Sequence, residues 1–234
     1  MSDKKIVLMV LAVVALVLFA FSYKAEAASV TLVETNAGLV VVFEGPIVVG
    51  DSVRLDVAMT QGGTNKVIMS STGGSAVEGY KIGAVLSDHE ATVLVPEGYP
   101  CLSACANAFV GAKTHIIHGV VGFHVAWFDE ESVAGANEGA RMGQYLGALS
   151  TVYFINNGFC AELPVMLSLL TSIDTFLIFT NTEEFLKFYA RDDTLDGADE
   201  VNTFFEPTGL GAEWYVSHLK SAGEIHEIIT LQRG

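Results

Sequence analysis

Apolar and polar positions along this chain follow two rhythms. Val30 to Glu34 and Gly38 to Glu44 are short runs rich in Val and Leu, with Asn36-Ala37-Gly38 as a turn between them. Such runs predict strands. Gly45-Pro46 ends the second. From Asp51 to Gln61, Val53, Leu55, Val57 and Met59 mix with Arg54 and Asp56 in a pattern that predicts a helix, N-capped by Asp51-Ser52. Lys66 to Ser70 predicts a strand, Ala76 to Ser87 a helix, and Ala91 to Val95 a strand closed by Pro96-Glu97-Gly98. Cys101 to Ala112 holds no charged residue, so it must be buried, and its alanines favour a helix. Ile116-Ile117 and Val120 to Val125 predict buried strands. Glu138 to Asn157 predicts a long helix, and Ala161 to Leu170 another with Pro164 in its first turn. Phe176 to Phe179 predicts a strand, and Thr182 the N-cap of a helix with acids in its first turn. Arg191 to Asn202 reads as an acidic surface loop and Glu213 to Ser221 as a last short helix. Apolar strands alternating with helices predict an α/β domain with a covered sheet.

The first residues follow another logic. Ile6 to Phe21 is uncharged and almost wholly apolar, with Lys4-Lys5 before it and Ala25-Glu26-Ala27 after it. This is the pattern of a secretory signal, so residues 1–27 are expected to be a signal peptide. The apolar run is shorter than the roughly 20 residues that span a bilayer comfortably. If it is not cleaved, residues 6–21 would attach the protein to a membrane. An exported protein, periplasmic or extracellular, is the expectation. The run also supplies part of a mean hydropathy of +0.45.

The 234-residue chain carries 12 basic and 27 acidic side chains. Without residues 1–27 it keeps 9 basic and 25 acidic, a net charge of −16. That excess excludes nucleic-acid binding, which needs Lys and Arg on phosphates, and binding to anionic lipid surfaces. Three cysteines remain, Cys101, Cys105 and Cys160, and in an exported protein a disulfide among them is expected. The odd number leaves one thiol over, and the pairing is open. No C-x-x-C is present to suggest a zinc ribbon.

Four features carry chemistry. Gly73-Gly74 sits between a predicted strand and a predicted helix, where glycine lets a ligand approach backbone N–H groups. Ser103 lies in the uncharged segment where the chain turns into a helix, with the Ala104 N–H beside it, an arrangement suited to acyl transfer. His124 ends an apolar strand, where a histidine is either a core residue or a base. His115 and His118 precede it at spacings that match no familiar zinc pattern, so no metal site is expected. Asp174 precedes the strand Phe176 to Phe179 and could orient an imidazole; Asp129 is the rival.

Together these residues resemble the Clp-type serine peptidases of the ClpP/crotonase superfamily. Ser71-Thr72-Gly73-Gly74-Ser75 resembles that family's S-P-G-G-S turn, with Thr72 in place of Pro. Cys101 to Phe109 resembles its nucleophile segment, and Gly122-Phe123-His124 its M-I-H. The C-x-S-A-C pattern is similar to that of a group of exported Clp-like proteins. The resemblance spans residues 38 to 188. It implies an α/β spiral of repeated β-β-α units with a protruding helix, over residues 28–190, leaving 191–234 as an acidic loop and C-terminal helical extension. It implies Ser103 as nucleophile, His124 as base, Asp174 as its orienting acid, and the N–H groups of Gly74 and Ala104 as an oxyanion hole. The implied activity is a secreted or envelope serine peptidase independent of ATP, with no cofactor, acting on peptides or unfolded protein. The alternative is a non-catalytic peptide-binding or scaffold protein of the cell envelope. The helix Glu138 to Asn157 takes the place of the family's ring-contact helix, which implies a homo-oligomer. A crotonase-like acyl-CoA activity fits poorly with export and with an acidic surface.

Overall fold

The computed structural model describes residues 27–36, 38–125, 136–171, 175–188 and 227–230. The expected signal segment, Asp129, Asp174, the loop Arg191 to Asn202 and the helix Glu213 to Ser221 lie outside the described residues. No helix among the described residues is long and apolar enough to cross a membrane.

Two sheets carry the fold. The first has strand order β1-β2-β3-β4-β6, formed by β1 (Ser29–Thr35), β2 (Gly38–Glu44), β3 (Lys66–Ser70), β4 (Thr92–Val95) and β6 (Thr114–Ile117). β1 and β2 form an antiparallel hairpin, and β2, β3, β4 and β6 run parallel. Parallel strands need covered faces. Val41, Phe43, Val67, Met69, Val93 and Val95 belong to the main core, while Val40, Ile68, Leu94 and Ile116 form a second apolar cluster. The second sheet has order β5-β7-β8-β9, from β5 (Pro100–Leu102), β7 (Val120–Phe123), β8 (Thr175–Phe179) and β9 (Glu227–Thr230).

The chain steps repeatedly from one sheet to the other. After β2, Ile47 bridges Gly74; after β3, Ser71 bridges Cys101; after β4 comes β5, and after β6 comes β7. Each of these four crossovers is followed by a helix: α1 (Asp51–Gly62), α2 (Ala76–Asp88), α3 (Ala104–Val110) and α4 (Ala136–Asn156). This is the α/β spiral of β-β-α units that the resemblance implies. Two glycines of α2 let α3 approach unusually closely. A Cβ at Gly79 would lie 2.4 Å from the Ala104 carbonyl oxygen, and one at Gly83 3.1 Å from that of Ala108. The start of α3 is thereby fixed against α2.

Three local expectations are corrected. The N-cap of α1 is Gly50, in the left-handed region at φ 101°, and not Asp51-Ser52. Asp51 is the first helical residue, and its carboxylate accepts the Val48 N–H. The open donors of that helix start are met by a distant group, because Glu78 Oε1 accepts from Gly50 N–H, Ser52 N–H and the Ser52 hydroxyl at 2.7–3.0 Å. Beyond α5 (Glu162–Leu170), the N-cap of α6 (Thr182–Leu186) is Asn181, whose side chain accepts the Glu184 N–H, and the Thr182 hydroxyl instead accepts the Ile117 N–H. The uncharged run Cys101 to Ala112, whose alanines favoured a helix, begins as β5 and becomes α3 only after Ser103, the residue at which the sequence placed the turn into a helix. The sequence also gave no sign of β9, which joins the second sheet beside β8 from within the expected C-terminal extension.

Candidate active site

The divide at Ser103 has a physical reason. Its backbone stands at φ 56°, ψ −120°, a conformation rare for a residue with a Cβ. It places the side chain at a sharp strand-to-helix pivot, the shape of a nucleophile elbow. The pivot is held on its strand side, where Ser103 N–H donates to Gly122 C=O at 2.8 Å and Leu102 N–H to Ser71 C=O at 2.9 Å. On its helix side Asn107 N–H donates to Ser103 C=O at 3.0 Å. A disulfide between Cys101 and Cys105 spans the pivot, and Cys160 is a free thiol.

Gly73-Gly74 lies directly against this turn. A Cβ at Gly73 would stand 2.7 Å from Ser103 Cβ and 3.2 Å from Ala104 N. Both glycines have positive φ, 106° and 141°, so side chains are excluded by conformation as well as by space. The Ser71 hydroxyl accepts the Gly73 N–H, and Ile47 exchanges hydrogen bonds with Gly73 C=O and Ser75 N–H. With both neighbours tied to Ile47, the Gly74 N–H faces away from it. The Ala104 N–H belongs to the first turn of α3, where N–H groups have no acceptor within the helix.

His124 follows β7, and its Nε2 lies 2.6 Å from Ser103 Oγ. In the neutral tautomer protonated on Nδ1, the serine hydroxyl donates to Nε2, which is the arrangement of a base ready to take that proton. The imidazole stacks on Phe176 with centroids 4.4 Å apart and planes 16° from parallel. Phe176 was not anticipated from the sequence. It faces His124 because β7 and β8 pair antiparallel with Phe123 opposite Leu177, a register that no local pattern announces.

A cavity of about 130 Å³ opens beside His124, lined among others by Tyr80, Asn107, Leu146, Ser150 and Leu167. Among the described residues no Asp, Glu, Lys or Arg side chain lines it. Tyr80 packs against Tyr153 with ring centroids 4.9 Å apart and planes tilted by 60°, and the Tyr153 hydroxyl donates to the Asn107 carbonyl at 2.9 Å. Burial pushes both phenols above their ordinary pKa, so both stay protonated and neutral.

His115 and His118 take no part in this site. His115 is buried among Phe109, Phe159 and Phe185, and burial depresses its pKa to about 4, so it is a neutral core residue. His118 is exposed. No cluster of potential metal ligands occurs among the described residues.

No family model matches the chain, and no curated relative matches its sequence. Among solved structures it is similar to the 1510-N membrane-bound stomatin-specific protease, at 14% identity and a TM-score of 0.47, covering 82% of this chain and 96% of that one. A second form of that protease, in complex with a substrate peptide, gives 14% identity and a TM-score of 0.48 over 82% of this chain and 90% of that one. ClpP1 from Listeria monocytogenes gives 15% identity and a TM-score of 0.43 over 82% and 92%.

Proposed function

We propose that this protein is a serine peptidase of the cell envelope or exterior, acting without ATP through an acyl-enzyme on Ser103. One observation carries the reading: a serine on a strained strand-to-helix pivot, 2.6 Å from a histidine ring nitrogen. His124 takes the hydroxyl proton as Ser103 attacks a peptide carbonyl, then gives it to the leaving amine. The stack on Phe176 fixes the ring plane in which that transfer runs. Gly74 and Ala104 N–H groups receive the developing oxyanion, each contributing about 3–4 kcal/mol to lowering the barrier. Asp174 is assigned the third place. It immediately precedes β8, the strand that carries Phe176. The cavity beside His124, with Tyr80, Asn107, Leu146, Ser150 and Leu167 in its described lining, fits one small or medium uncharged side chain of a peptide or unfolded protein.

Export rests on the signal pattern of residues 4–27. Self-association rests on α4, which leaves Met142, Tyr145, Val152 and Ile155 exposed along its length. The deciding experiment is labelling of the folded protein with a fluorophosphonate, mapped by mass spectrometry. Modification at Ser103, lost in His124→Ala, is expected. A folded protein that stays unlabelled at every pH would sink the peptidase reading and leave a peptide-binding scaffold.

A further inference from the structure

We propose that the Cys101–Cys105 disulfide positions Ser103 for reaction, so that a dithiol reductant switches the site off. The inference rests on the peptidase reading and adds a means of control to it.

Placement is the first argument. Cys101 is the central residue of β5 and Cys105 the second residue of α3, two positions to either side of Ser103. The bond closes a small ring over Leu102, Ser103 and Ala104, the residues that make the pivot. A rare backbone conformation persists only where its surroundings over-determine it. At most helix starts a side-chain cap would help. Here the helix start has no side-chain cap, because the Ser103 hydroxyl points to His124 instead. The disulfide ties strand to helix where the cap is missing.

Scale is the second. Cross-linking restrains the unfolded chain more as the closed loop grows. A loop this short therefore adds comparatively little to global stability, and its main effect is local. Packing is the third. Both cysteines are fully buried, the Ala104 backbone is pressed against Gly79, and Ser103 against Gly73. Two thiols need more room than two bonded sulfurs, and a close-packed shell does not provide it. The pivot, already strained, is the part that yields. A displacement of about 1 Å at a nucleophile lowers rates about a hundredfold.

The redox step balances. A thiolate of the dithiol attacks one sulfur and forms a mixed disulfide, and the reductant's second thiolate displaces the protein sulfur. Two electrons and two protons end on Cys101 and Cys105, and the reductant leaves as its own disulfide.

The test uses the chain with Cys160→Ser, so that one thiol pair remains, equilibrated in dithiol/disulfide buffers of stepped potential. Fluorophosphonate labelling of Ser103 is expected to slow by about tenfold or more as the pair is reduced and to recover on reoxidation. Near-UV circular dichroism should show the fold retained throughout. A Cys101→Ala/Cys105→Ala variant should label slowly in every buffer. Equal rates in both redox states overturn the proposal, as does global unfolding on reduction, which would make the bond a support of the fold and not of the pivot. If no form labels, the peptidase reading fails separately. The His124 imidazole nitrogen resonances then decide: they must differ between oxidised and reduced protein, and identical resonances overturn the positioning role.

Discussion

Ser75 and Ser103 hold the same position in two successive β-β-α units, yet they do opposite work. Ser75 caps α2 with an ordinary extended backbone, φ −63° and ψ 111°, and its hydroxyl accepts the Glu78 N–H. Ser103 starts α3 at φ 56°, makes no cap, and turns its hydroxyl to His124. One serine satisfies its helix. The other leaves the helix start uncapped and strains the backbone by about 1–3 kcal/mol. Such a sacrifice is made where a side chain is held for chemistry, and this contrast within one chain argues for function more strongly than the sequence order Gly-Gly, Ser, His.

The largest effects should fall on one side of the comparison. Ser103→Ala is expected to abolish fluorophosphonate labelling and peptide hydrolysis altogether. Ser75→Ala should leave the labelling rate of folded protein within about twofold, because its hydroxyl touches only the helix start. Both are read by gel fluorescence on the same preparation. A Ser103→Ala protein that still labels would place the nucleophile elsewhere.

Gly73 makes the contrast sharper. An alanine there would meet Ser103 Cβ at 2.7 Å and would also occupy a φ of 106°. Moving Ser103 by the ångström needed should slow labelling about a hundredfold. The control is Gly63→Ala, at the end of α1, where φ is also positive but a Cβ meets nothing within 4 Å. It should lose some stability and keep the labelling rate of the folded fraction. Equal losses at both glycines would show that the effect is on folding alone.

The comparison also marks what a sequence can disclose. Element types were legible because apolar runs and helical periods reflect burial that each segment carries locally, as in β3 and α2. Ser103, His124 and Gly73-Gly74 were legible as a set only through the resemblance of their motifs and order to the Clp-type peptidases. Glu78 was not, since it caps a helix that begins 27 residues earlier, and nothing near Asp51 points to it. Phe176 stayed hidden because it meets His124 through an antiparallel register between β7 and β8. The turn into a helix at Ser103 was legible, but its positive φ left no trace in composition. β9 was missed because pairing to β8 is a long-range event.

His115 in β6 and His124 just after β7 repeat the contrast in electrostatic form. His124 lies at a cleft, whereas His115 sits in an aromatic shell that keeps it neutral, with a pKa of about 4. The unfolded chain takes up that proton near pH 6.5 and the folded chain does not. His115 therefore contributes stability above pH 6.5 that is lost as pH falls towards 4. Urea unfolding should show a loss of about 2 kcal/mol between pH 7 and pH 5. His115→Leu should flatten that slope whatever its own stability. Glu78, held below its usual pKa by Ser52 and Gly50 against the opposing effect of burial, adds a further loss only below about pH 4.5. A slope unchanged in His115→Leu would mean that another group takes up the proton.

The smallest effect is the most direct reading of the two serines. Removing the α2 cap with Ser75→Ala should cost about 1 kcal/mol, the usual value of an N-cap hydroxyl. Ser103→Gly should do the reverse. Glycine adopts a positive φ without the clash of a Cβ, and no cap is lost because none is made. Relief of about 1–3 kcal/mol of strain should exceed both glycine's extra entropy in the unfolded chain and the lost hydrogen bond to His124, and raise stability by up to about 1 kcal/mol. Opposite signs at equivalent helix starts, measured by urea unfolding at neutral pH with the disulfide intact, would show that the fold holds Ser103 against its own preference. If both substitutions destabilise alike, Ser103 is an ordinary structural serine and the strained pivot gives no support to catalysis.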